Sequence, residues 1–142
     1  MKLTVGQGKP IRAAASFVRM NVFVIERHIK LTDEFDDKDS DTMTYAVMFD
    51  GEAPVATARF ESPDERTLKI GRVATLKDYR GQGLGAQVLT ALEEVAKSRG
   101  KTTSLIHSEV TAQGFYESLG YQASSDVFVE DGVDCIIVEK SF

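Results

Sequence analysis

The sequence has little of what secreted, metal-binding or membrane proteins need. Its 142 residues include a single cysteine, Cys135, so no internal disulfide can form, and this agrees with a reducing, cytoplasmic location. Only two histidines accompany that cysteine and no ligand spacing links them, so we expect no metal site. No apolar run approaches the roughly 20 residues of a membrane span, and the amino terminus lacks the apolar segment of a signal peptide, so we expect no membrane partner.

Positive charge is also scarce. The chain has 17 Lys and Arg residues against 22 Asp and Glu residues, a formal net charge of −5. Nucleic acid binds basic surfaces, so we expect no nucleic-acid partner. The acidic residues concentrate between Asp33 and Asp41, where the chain reads DEFDDKDSD. Such a run is typical of a solvated loop, and the alternative is that it attracts a cationic substrate.

Apolar periodicity and turn residues predict a single domain over residues 1–142, with elements in the order βαβββαβαββ. The apolar fraction of 42% is enough for a core. We therefore expect an α/β fold of the α+β kind, with a mixed, mostly antiparallel central sheet flanked by helices. The expected helices are Ile11–Arg27, Leu84–Arg99 and Thr111–Leu119. The expected strands are Lys2–Val5, Met43–Phe49, Pro54–Phe60, Thr67–Leu76, Thr102–His107, Tyr121–Val129 and Val133–Val138.

The segment RGQGLG, residues 80–85, lies between a predicted strand and a predicted amphipathic helix. Its glycines allow a ligand to approach the backbone, and the free N–H groups of the helix start suit a phosphate. The Gly-Lys-Ser/Thr of a nucleotide P-loop is missing, and G-x-G-x-x-G is matched only loosely. Only 57 residues follow Gly85, too few for the further βα units of a dinucleotide fold. Coenzyme A is the third ligand class for such a loop.

The spacing Arg80-x-x-Gly83-x-Gly85 resembles the Q/R-x-x-G-x-G/A motif of the GNAT superfamily of N-acetyltransferases. Residues 114–121, GFYESLGY, are similar to the later segment of that family, usually written A-x-x-x-Y-x-x-x-G-F. The similarity covers nearly the whole chain. Within the superfamily, the stretches VFVIERHI, EFDDKD and IGRVATL resemble the small bacterial ElaA-like branch.

The resemblance implies an enzyme that moves an acetyl group from acetyl-CoA to a primary amine by direct transfer in a ternary complex. It places the pyrophosphate of acetyl-CoA on the glycine loop. The loop residues concerned are Arg80, Gly81, Gln82, Gly83, Leu84, Gly85 and Ala86. It places the pantetheine arm along the exposed strand edge at Val73 and Thr75, as if it were another strand.

The chemistry needs an acid for the leaving thiolate and a base for the amine. Tyr116 occupies the position of the family's acid tyrosine; the alternative is a tyrosine that only packs. We select His107 as the base because histidine exchanges a proton near neutral pH, and the alternative is a partly buried structural histidine. Arg72 is expected in an ion pair or against an acceptor carboxylate. The other candidate bases are Glu26, Glu61 and Glu109.

The acceptor is expected to be a small-molecule or peptidyl amine, enclosed by the first helix, the acidic run and the last hairpin. A non-catalytic acyl-CoA-sensing or protein-interaction module is the alternative function, and a nucleotide-binding domain is a third. The presence of Tyr116 favours the enzyme. The oligomeric state is left open, with a homodimer among the expectations.

Overall fold

A computed structural model describes residues 1–142 as one eight-stranded sheet with helices on both of its faces. The helices are α1 (Lys9–Arg19), which continues as a π-helix (Met20–Glu26), α2 (Leu31–Glu34), α3 (Leu84–Ser98) and α4 (Gln113–Ser118). Short 3₁₀ turns cover Lys77–Tyr79 and Val110–Ala112. The strands are β1 (Lys2–Gly6), β2 (Thr44–Asp50), β3 (Ala53–Glu61), β4 (Thr67–Thr75), β5 (Thr103–Glu109), β6 (Gln122–Ala123), β7 (Phe128–Glu130) and β8 (Val133–Ser141).

The strands lie in the order β1-β2-β3-β4-β5-β8-β6, and β7 pairs with β8. Every pair is antiparallel except β4 with β5, whose parallel register runs from Thr67↔Thr103 to Lys69↔Leu105. Parallel neighbours need a crossover connection, and α3 supplies it. The ladder between β4 and β5 stops at Lys69, so the rest of β4 leaves its neighbour and opens the sheet.

Alternating residues of β2 divide the core between two faces of the sheet. Tyr45 and Val47 pack against Ile11 and Ala15 of α1. The intervening residues, Ala46 and Met48, pack on the opposite face against α3. The α3 side chains in that cluster are Leu84, Val88, Leu89, Leu92 and Ala96. None of the helices combines the length and the apolarity that crossing a bilayer requires.

The predicted fold class, a mixed and mostly antiparallel sheet flanked by helices, is confirmed. The predicted helix Ile11–Arg27 changes type on the way, because backbone bonds such as Arg27 N–H to Val22 O give its second half π geometry. A short helix, α2, ends at Glu34, inside the segment from Asp33 to Asp41 that was expected to be a loop.

The predicted strand Tyr121–Val129 is wrong, since only its two ends, β6 and β7, pair with β8. Between them, the amide of Ser124 donates to Ile137 O at 2.8 Å, and Ile137 N–H donates to the hydroxyl of Ser125 at 2.9 Å. The side-chain oxygen of Ser125 thus replaces a backbone acceptor, which interrupts the ladder.

Replacing Leu92 with Ala should lower the free energy of unfolding by about 2–5 kcal/mol, because the side chain is fully buried between α3 and the sheet. Urea unfolding followed by circular dichroism measures the change. Leu31→Ala, at a side chain that is half exposed, is the matched control and should cost much less. Equal losses in the two variants would contradict this account of the core.

Candidate active site

A cleft of about 780 Å³ opens where β4 leaves β5. Its walls are residues 27–30 after the π-helix, residues 70–73 of β4, residues 106–109 of β5, and the hairpin formed by β7 and β8. Tyr116 and His107, the two predicted catalytic residues, both line it, as does Val73. The first helix, the acidic run and the last hairpin, the three predicted acceptor walls, all contribute residues to this cleft, and their contact with an acceptor stays a prediction.

A β-bulge interrupts β4 inside this cleft. Gly71 pairs with Arg59 and Ala74 pairs with Thr57, so two residues of β4, Arg72 and Val73, face a single residue of β3. Arg72 has a φ of +52°, the left-handed region, which costs a non-glycine residue about 1–3 kcal/mol. The surroundings of the bulge must therefore hold Arg72 in place.

Those surroundings are the acidic run, which packs against arginines instead of facing solvent as a loop. Arg72 lies 3.3 Å from a carboxylate oxygen of Glu34 and 3.3 Å from one of Asp36. Fully buried Arg19 binds Glu34 at 2.8 Å and Asp39 at 2.6 Å. Of the two expectations for Arg72, an ion pair or contact with an acceptor carboxylate, its contacts within the protein are those of an ion pair. Three carboxylates of the run are occupied by arginines and are not free to attract a substrate.

The glycine loop has the geometry of an anion site. Gly81 and Gly83 have φ of +78° and +77°, and Gly83 immediately precedes α3. No side chain caps this helix start, so its first N–H groups are left without a side-chain acceptor. A Cβ on Gly85 would lie 3.9 Å from the hydroxyl of Thr75, which sets the loop against the end of β4. The other predicted cofactor-binding residues lie here as well: Gln82 in the turn, and Leu84 and Ala86 in the first turn of α3.

Arg80 connects the loop to the π-helix. Its guanidinium makes a bidentate pair with Glu26 at 2.7 and 2.8 Å and donates to Thr75 O at 3.0 Å. The hydrogen bonds from Arg80 lower the pKa of Glu26. Glu26 is therefore an ion-pair partner and is disfavoured as the base.

Tyr116 is buried but keeps a free hydroxyl. Its ring packs against Phe115 and Tyr121, with centroids 5.1 and 6.0 Å away, and its hydroxyl makes no hydrogen bond within the protein. Burial, with a smaller contribution from the charge of Glu109, raises the pKa of Tyr116 to about 12. The phenol therefore holds its proton throughout the physiological range and can donate it.

His107 is held from one side by the hairpin. Its Nδ1 lies 3.1 Å from a carboxylate oxygen of Glu130, and its ring meets Phe128 edge-on at 5.6 Å. Its Nε2 has no partner in the protein. A carboxylate on Nδ1 fixes the tautomer with the proton there, which leaves Nε2 as an acceptor.

The remaining candidates for the base, Glu109 and Glu61, are both engaged in ion pairs. Glu109 is paired with Arg27 at 2.5 Å. Glu61 binds Lys38 at 2.7 Å and lines a different, polar depression of about 580 Å³. Cys135 is buried, and burial raises the pKa of its thiol, so it is a poor nucleophile.

Comparison with known proteins shows the family of the chain. Residues 16–142 match the acetyltransferase (GNAT) domain family. An uncharacterised acetyltransferase from Streptococcus pyogenes is 43% identical over 111 residues, which cover 78% of this chain and 76% of that protein. The uncharacterised protein YyaT of Bacillus subtilis is 37% identical over 125 residues, which cover 87% and 84% of the two chains.

Solved structures extend the comparison. The crystal structure of a Lactobacillus plantarum protein assigned to the N-acetyltransferases has 42% identity and a TM-score of 0.92, with 99% of each chain covered. Escherichia coli ElaA shares the fold, with a TM-score of 0.84 and 22% identity over 98% of each chain. The chain belongs to the GNAT family of acetyltransferases, and the predictions of that family and of an acyltransferase enzyme are confirmed.

Several residues of the site carry no signal in the sequence. Glu130 and Arg27 face the cleft through contacts with residues 23 and 82 positions away, His107 and Glu109 respectively. The buried pair Arg19 and Glu34 joins a helix to the acidic run. For Glu130 alone the sequence gives a partial signal, because the Asp131-Gly132 turn places it at the tip of a hairpin.

Replacing Gly83 with Ala should lower the free energy of unfolding by about 1–2 kcal/mol, because alanine resists the left-handed conformation. Nothing lies within 4 Å of the added Cβ, so backbone strain is the cause. Gly114→Ala, within α4 and equally uncrowded, lacks the positive φ and should not destabilise the protein. Chemical denaturation checks both, and a stable Gly83→Ala would contradict the strained turn.

Proposed function

We propose that this acyltransferase moves the acetyl group of acetyl-CoA to a primary amine by direct transfer in a ternary complex. The observation that carries the proposal is the free hydroxyl of Tyr116, which is buried in the cleft where β4 leaves β5. A proton donor at that position can serve a thiolate that departs between the two strands.

The donor would lie along two consecutive features of the chain. The uncapped N–H groups of residues 81–86 and the positive end of the α3 dipole would bind the pyrophosphate. The pantetheine arm would add to the open edge of β4 at Val73 and Thr75, because past Lys69 this strand has no partner in β5. A backbone N–H at the bulge would polarise the thioester carbonyl, an effect of roughly 3–4 kcal/mol.

Arg80 would have to serve two partners in this complex. It belongs to the family motif at the loop, yet Glu26 already binds it through both oxygens. Both side chains are partly exposed, and solvent screens such a surface pair, so it contributes little to stability. A diphosphate, with its larger charge, can therefore compete with Glu26 for the guanidinium.

The acceptor must lose a proton before it attacks. An alkyl amine has a pKa of about 10.4, so neutralising it at pH 7 costs roughly 4–5 kcal/mol. His107 would accept this proton on Nε2, with Glu130 holding Nδ1. The charge of the cleft favours a cationic amine, because five carboxylates line it against three Arg and Lys side chains. A polyamine, an amino sugar or a lysine side chain has the required chemistry.

Tyr116→Phe should lower kcat about 100-fold or more because the leaving thiolate loses its proton donor. Coenzyme A should still bind, since the loop is unchanged. Thiol release from acetyl-CoA with a panel of primary amines measures turnover, and calorimetry measures binding. Tyr79→Phe, at an exposed hydroxyl bound to Asp50, is the control and should retain activity. A wild-type protein that releases thiol with none of the amines would contradict the proposed reaction.

His107→Asn should lower kcat/KM for the amine about 10- to 100-fold at pH 7, with a smaller loss at high pH, where more of the amine is already neutral. His28→Asn is the matched control, since His28 lines the same cleft without a carboxylate partner. Rates measured from pH 6 to pH 10 separate the two. Equal losses in both variants would remove the base role from His107.

A further inference from the structure

The acidic run forms a buried charge network behind the bulge of β4. Arg19 and Arg59, 0% and 2% exposed, bind carboxylates of this run, and Asp39 accepts from both. One donor of the network, Arg59 Nε, is buried without a partner. Buried ion pairs are costly to desolvate and are often no more stabilising than apolar packing. Such a network is better suited to fixing a conformation than to adding stability.

Glu34 is the residue that joins this network to the bulge. It is 4% exposed. Its backbone carbonyl accepts from Arg19 Nη2 at 2.8 Å and from Arg72 Nε at 3.1 Å. Its carboxylate accepts from Arg19 Nε at 2.8 Å and lies 3.3 Å from Arg72 Nε. The carbonyl and the carboxylate of Glu34 thus each contact both Arg19 and Arg72. Because Arg19 belongs to α1, Glu34 connects α1 to Arg72.

Arg72 needs such a hold, because it is a non-glycine residue with positive φ inside a strand. Asp36 binds the far end of the same guanidinium at 3.3 Å. The side chain of Arg72 binds the acidic run, and Arg72 lines the cleft together with its neighbours Gly71 and Val73. The residue that the acidic run holds is therefore also part of the cleft wall.

We propose that Arg72 is a positioning residue: Glu34 and Asp36 hold its guanidinium so that the backbone at Arg72 and Val73 stays bulged where the thioester lies. This rests on the proposed function for the role of the bulge, but the clamp itself is a property of the free protein. Arg72 then acts on turnover through the backbone and does not contact the acceptor.

The first experiment measures the backbone of the free protein. Three-bond HN–Hα couplings and backbone chemical shifts of residues 71–73 report φ at residue 72 in solution. In Arg72→Ala and in Glu34→Gln we expect the values to move from left-handed towards extended. Glu34→Gln keeps an oxygen acceptor but loses the charge, and thermal unfolding identifies any variant that does not fold. Unchanged couplings in both folded variants would overturn the clamp.

The second experiment compares two substitutions of Arg72 in turnover. Alanine removes the guanidinium and resists positive φ, whereas glycine removes the guanidinium and accepts positive φ freely. We expect kcat to fall about 10- to 100-fold in Arg72→Ala and clearly less in Arg72→Gly, with the Kd of coenzyme A within about threefold of wild type in both. Arg12→Ala, which breaks the exposed pair with Asp41, is the control and should keep wild-type kcat.

Two results of this comparison would overturn the proposal. Equal losses of kcat in the alanine and glycine variants would show that the guanidinium itself supports turnover. A rise in acceptor KM with unchanged kcat would place Arg72 against the acceptor. If the wild-type protein acetylates no amine, the proposed function fails, and the couplings still decide whether Glu34 and Asp36 hold the bulge.

Discussion

Three pairs of residues, from Thr67↔Thr103 to Lys69↔Leu105, join β4 to β5, and the site exists because this parallel pairing goes no further. A longer ladder would close the sheet and leave no edge for a ligand. The crossover through α3 begins at the far end of β4, so the same strand that opens the cleft also leads into the glycine loop.

The bulge of β4 lies at this open edge, and in the proposed clamp charged side chains hold it. Hydrogen bonds from Arg19 and Tyr45 outweigh burial and hold the pKa of Asp39 well below its usual range. Burial outweighs the neighbouring arginines at Glu34 and raises its pKa. The pKa values of these two carboxylates in one network are thus shifted in opposite directions. Burying Glu34 and Arg59 has a desolvation cost, and the proposed benefit is a fixed backbone conformation at the bulge.

Local signals in the sequence predict the parts of the site that are themselves local. The glycines of residues 80–85 need no distant partner to form a helix start, and the apolar spacing of α3 is visible from Leu84 onwards. Tyr116 follows from its place in GFYESLGY. The acidic run could not be interpreted in this way, because its partners Arg19, Arg59 and Arg72 come from three different elements. Apolar periodicity also does not reveal the change from α- to π-helix at Met20. This change alters the backbone hydrogen bonding, and no particular residue type marks it in the sequence.

The distribution of charge within the cleft bears on how the acyl group moves. Arg27 and Arg72 are neutralised by Glu109 and by the acidic run, which leaves Lys30 as the cation of the cleft without an ion pair. The hairpin wall carries Glu130 and Asp131, of which only Glu130 has a partner, and that partner is a histidine. An ammonium group would therefore be drawn to the wall where His107 can deprotonate it. Cys135, with its thiol buried and its pKa raised, is a poor acyl carrier, so in the proposed reaction the amine itself would attack the thioester.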